Sequence, residues 1–187
     1  RMSPQEVLAL DVSKLKLPAG HYKFEADFRG NRKVFSSFVG NKVEFDLKLA
    51  KHLKAISNRQ QNEKKVLFTS AKKLEELSRG LGEGFQKLKS DRKKWGVFYV
   101  SWKKQTESAV PSSLVTTSDA NLSTFIYPDE VLAIRRGHKR LLEQARGLDA
   151  AVAQKREIAS RGKLSIVKDF TKLREHVASL STRYPAK

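Results

Sequence analysis

A chain of 187 residues with 39% hydrophobic and 31% charged residues is long enough to bury a real core, which excludes wholesale disorder. It holds no Cys, and that excludes disulfide staples, thiolate metal sites and Cys nucleophiles. Its 38 Lys and Arg against 20 Asp and Glu leave a net charge of +18, a field that concentrates polyanions.

The charge falls in four blocks. Residues 1–50 carry a net of +3, 51–104 carry +10, 105–131 carry −4 with no Lys or Arg, and 132–187 carry +9. With the residue patterns below, these blocks predict an α+β chain: a small β-meander region at 1–50, a basic helical region at 51–105, a Ser/Thr-rich loop or linker at 106–127 and C-terminal helices at 128–187.

In chain order, Ser3-Pro4-Gln5-Glu6 has the form of a capping box with Pro at the first helical position, while the alternating leucines that follow fit a strand equally well. Over 21–28, Tyr22, Phe24, Ala26 and Phe28 alternate with polar residues, and Gly30-Asn31 offers a tight turn. A second run at 33–39 ends at Gly40-Asn41, and a third places Val43, Phe45, Leu47 and Leu49 on one face. Three such runs predict a three-stranded antiparallel meander. Leu67, Ala71, Leu74 and Leu77 then recur at helical spacing, and Gly80, Gly82 and Gly84 are read as a helix break or cap. The run 95–102 is aromatic and β-branched enough for a strand, but its stripe favours helix.

Residues 106–127 show no period and predict an excursion over the surface or along a partner, one whose 110–124 stretch is dispensable to the fold. Tyr127-Pro128-Asp129-Glu130 marks a helix start. Its stripe runs through Val131, Ile134, His138, Leu141, Leu148 and Val152. A shifted stripe returns at Ile166, which predicts a helical hairpin or one long kinked helix, broken near Ser160-Arg161-Gly162.

Nothing in the sequence argues for catalysis. The glycine triplet lacks the strand before it and the Lys-Ser/Thr pair after it that a phosphate loop needs. The four histidines have no metal-ligand spacing, so no metal or cofactor is expected. Glu75-Glu76 and Asp129-Glu130 are chain neighbours, and adjacent helix positions do not face each other.

The basic clusters carry more. Lys64, Lys65, Lys72 and Lys73 lie on the first predicted helix, followed by Lys87, Lys89, Arg92, Lys93 and Lys94. Lys103 and Lys104 come next, then Arg135, Arg136, Lys139 and Arg140. On helices these side chains would meet phosphates and release condensed counterions. Trp95, Phe98, Tyr99 and Trp102 lie among them, either as core or as platforms for unpaired bases.

The expected function is non-catalytic, architectural binding to RNA or DNA phosphates within a larger nucleoprotein assembly. The stripe from Val131 to Val152 is expected to pack partly against another protein subunit. Two alternatives are a scaffold or virion component acting through helix contacts and a peripheral binder of anionic membranes. No segment is long enough to span a bilayer, and the expected location is intracellular or inside a virion.

Overall fold

The computed structural model describes residues 17–28, 31–155 and 161–183. The Ser3–Glu6 capping expectation lies outside them. Two antiparallel strands, β1 (Gly20–Phe28) and β2 (Asn31–Val39), pair from Gly20 opposite Val39 to Phe28 opposite Asn31. The predicted alternation holds where side chains are described: Tyr22 and Phe24 are half-buried while His21, Lys23 and Glu25 are exposed.

The predicted third strand is instead the start of α1 (Lys42–Leu88), a single helix of 47 residues. Among the described residues the sheet therefore has two strands, not three. Gly40 takes a positive φ of 119° and turns the chain, but Asn41 then caps a helix, its side chain accepting from Glu44 N–H at 3.1 Å. Lys48 pairs with Glu44 one turn away at 2.7 Å. Phe45 and Leu49 are four residues apart as well as an even number, so a helix can bury both; Val43 and Leu47 are left 69% and 67% exposed. Phe24 meets Phe45 edge-on at 4.9 Å, which seats the hairpin on this end of α1.

Nor do the glycines break α1. Leu77, Leu81 and Phe85 continue the buried stripe through them, and packing outweighs a helix cost of about 1 kcal/mol per Gly. At Gly84 a Cβ would stand 2.3 Å from the Phe98 ring, so glycine lets α2 (Arg92–Ala109) approach closely. The α1–α2 turn ends at Asp91, which caps α2 by accepting from Lys94 N–H at 3.0 Å; that hydrogen bond holds the Asp91 carboxyl below its ordinary range. The 95–102 run is helical, as its stripe suggested.

The segment after α2 departs from a surface excursion. It forms a short helix α3 (Ser112–Thr116) and a 3-10 helix (Asp119–Thr124), and it buries Val110, Leu114, Leu122, Ile126 and Tyr127 in the main core. Its sparse apolar residues are anchors, and deleting 110–124 would take Val110, Leu114 and Leu122 out of the core.

Helix α4 (Pro128–Ala153) begins where the Tyr-Pro-Asp-Glu signal placed it. Its Tyr127 N–H donates to Glu63 Oε1 of α1 at 2.9 Å, a cap supplied from another helix. Helix α5 (Arg161–Arg183) folds back along α4, as a hairpin and not a kinked continuation. Trp102 Nε1 donates to Leu77 O, Trp95 Nε1 to Asp149, and Arg140 to Asp169, which fixes α1, α2, α4 and α5 as an up-down-up-down bundle. Glu75, buried in α1, ties α5 on: Arg174 lies 2.7 Å from its Oε2, and the Thr171 hydroxyl donates to its Oε1 at 3.1 Å.

Candidate nucleic-acid interface

Each helix spends its apolar face on this bundle, and that decides which cations are left outside. On α1, Lys65 and Lys72 are exposed on one side, two turns and about 10 Å apart, while the leucines face inward. Lys73 is drawn to Glu76 at 3.9 Å. Lys64 is half-buried at the border with α5, and burial pushes its ammonium below its ordinary value.

The α1–α2 turn is where the fold gathers charge most densely. Lys87, Arg92, Lys93 and Lys94 are exposed there, with Lys89 half-buried beside them. Lys94 reaches Asp91 at 3.6 Å. Along the outer side of α2, Arg92 and Lys93 stand at one end and Lys103 and Lys104 at the other, about 16 Å away. Between them Val97 and Val100 are 73% and 55% exposed beside Gly96.

The Arg cluster of α4 is divided by its neighbours. Arg135 pairs with Asp119 at 2.9 Å and Arg140 with Asp169 at 2.8 Å, so both serve the fold. Arg136 and Lys139 stay exposed. Lys65, Lys72, Lys87, Arg92, Lys93, Lys103, Lys104, Arg136 and Lys139 make no ion pair with another described residue.

Two expectations about the site change. Val131, Ile134, His138, Leu141, Leu148 and Val152 are buried in this chain's own core, so the face assigned to a partner subunit is occupied from within. The aromatic group of α2 is internal too. Trp95 and Trp102 are buried, and the stack Trp95–Tyr99–Trp102 has centroid spacings of 5.9 and 6.3 Å inside the bundle. No aromatic platform for bases is built there.

An exposed ring occurs elsewhere. Phe68 of α1 is 38% exposed, in a groove shared with Gln61, Lys64, Lys65 and, from α5, Val177, Ala178 and Ser181. Its signal in the sequence is its offset: it follows Leu67 directly, one position off the buried stripe and on the side of the lysines.

Among the described residues no three His, Cys, Asp or Glu stand close enough to hold a metal ion, and no helix is long and apolar enough to cross a membrane. No family model matches the chain, and comparison with curated proteins and with solved structures found no match. The functional reading therefore rests on its own residues.

Proposed function

We propose that the protein binds the phosphate backbone of RNA or DNA without catalysing a reaction, as an architectural subunit of a nucleoprotein assembly. One observation carries this reading: exposed cations on α1, α2 and α4 with no ion pair to another described residue, on helices whose opposite faces are already buried. A cation that a fold does not neutralise keeps its field for a partner. Side chains of this kind position a backbone and carry little sequence information.

The exposed Val97 and Val100 between cationic ends favour one second reading, a peripheral contact with anionic membrane. A helix-mediated scaffold has less support, because the 131–152 stripe is spent inside the chain.

Fluorescence anisotropy of labelled single- and double-stranded RNA and DNA across a salt series, with anionic liposomes as competitor, tests the proposal. Steep salt dependence that liposomes leave in place is expected. Arg92→Ala with Lys93→Ala should weaken binding alike across sequences and flatten the log–log salt slope, by about 0.9 on duplex DNA and about 0.7 on single strands for each phosphate no longer neutralised. Equal capture by liposomes would transfer the reading to membranes, and a strongly sequence-dependent loss would contradict backbone binding.

A further inference from the structure

Among the Phe, Tyr and Trp side chains described, Phe68 alone is exposed. Every other one described is buried or half-buried; Phe68 keeps 38% of its surface on the outside of the bundle. Its neighbour Leu67 supplies the buried contact at this level of α1.

The surroundings of the ring have a definite chemistry. Phe68, Val177 and Ala178 make an apolar floor, while Gln61, Lys65 and Ser181 set donors and acceptors around it. The groove is open and about 500 Å³ in volume, within the range of small-ligand sites. No carboxylate lines it, and two lysines do. Lys72 extends this charge along the exposed side of α1, about 10 Å beyond Lys65.

We propose that the Phe68 groove between α1 and α5 receives an unpaired nucleobase, stacked on the ring, while Lys65 and Lys72 hold phosphates of the same strand. This rests on the nucleic-acid reading above and names its substrate as single-stranded. An aromatic face with flanking cations is the combination that binds single strands with little sequence preference, because every base offers a π face. A duplex keeps those faces stacked on each other and shows a protein only base edges. An acidic peptide meets the same charge but brings no nucleobase to stack on the exposed ring.

The test uses the full chain with an oligothymidylate and a duplex of equal length. In Phe68→Trp the new indole is the exposed one, since Trp95 and Trp102 are buried, and its emission should be quenched by the single strand but not by the duplex. Phe68→Leu should lower single-strand affinity by roughly five-fold or more with an unchanged salt slope and unchanged duplex binding. Lys65→Ala with Lys72→Ala should flatten the salt slope instead. Circular dichroism melting of each variant confirms that the bundle is retained. If the wild type binds the single strand and neither Phe68 variant responds, the groove assignment is overturned and backbone binding stands. If the wild type shows no salt-dependent binding to either form, both fall. Quenching equal for strand and duplex, or only by an acidic peptide, also overturns the stacking site.

Discussion

His138 places an ionisable ring in the bundle core. Burial pushes its pKa below the ordinary value, opposed by a hydrogen bond with the Thr106 backbone, and Nε2 has no hydrogen-bond partner among the described residues. Above the unfolded pKa, near 6.5, the ring is neutral in both states and adds no pH dependence to stability. As pH falls from about 7 the unfolded chain takes up the proton first, so stability drops until the depressed folded pKa is passed. Chemical denaturation between pH 7.5 and 5 should show this decline, and His138→Gln should remove part of it; an identical slope would show that the ring does not titrate between states. Glycines make the second residue-scale contrast. Gly84→Ala pushes a methyl into Phe98 and should cost roughly 1–3 kcal/mol, whereas Gly80, with nothing within 4 Å of its Cβ direction, should gain about 0.5–1 kcal/mol as Ala. Sequence could not separate the two: the triplet reads as one breaker, and only the ring from α2 distinguishes its members.

At the scale of elements, the 110–127 segment is the sharpest case. Its Ser and Thr content conceals four aliphatic anchors ahead of Tyr127, namely Val110, Leu114, Leu122 and Ile126, at spacings of four, eight and four. Leu114→Ala should destabilise the fold by about 2–4 kcal/mol, because a fully buried leucine leaves a cavity among its neighbours. Urea melts would read this directly, and a change near zero would return the segment to the role of a surface loop. The first strand pair and the start of α4 were legible from period and Pro position; the stripe of α2 favoured helix over strand, and the shifted stripe after α4 left a hairpin and a kinked helix both open until the packing of α5 on α4 chose the hairpin. The start of α1 was not. Alternation over 43–49 satisfies a strand and, through Phe45 and Leu49, a helix as well; the Asn41 cap and the Lys48–Glu44 pair decide between them.

For the whole molecule, the governing quantity is a net charge of +18 on a bundle whose main apolar stripes are turned inward. Self-repulsion should make the protein melt at higher temperature as salt rises from about 20 to 200 mM, through screening within the Debye length. A polyanion that binds only the folded state adds RT ln(1 + [L]/Kd), so a short oligonucleotide should raise the melting temperature most at low salt. Scanning calorimetry at several salt levels would show both trends, and a melting point indifferent to salt would mean the charges are too dispersed to act together. The positions of the cations were open to sequence reading; their availability was not. Arg135 and Arg140 are consumed by acids 16 and 29 residues away, and no local pattern announces such pairing. The length of α1 has a separate, geometrical meaning. One unbroken helix of 47 residues, about 70 Å, carries the hairpin at one end and the bundle at the other, so backbone hydrogen bonds fix their phase. One residue inserted near position 60 would swing the hairpin by about 100° around the axis; seven would bring it back nearly in phase, about 10 Å farther out. The helix is in that sense a ruler, and any polymer gripped at both ends would be measured against it.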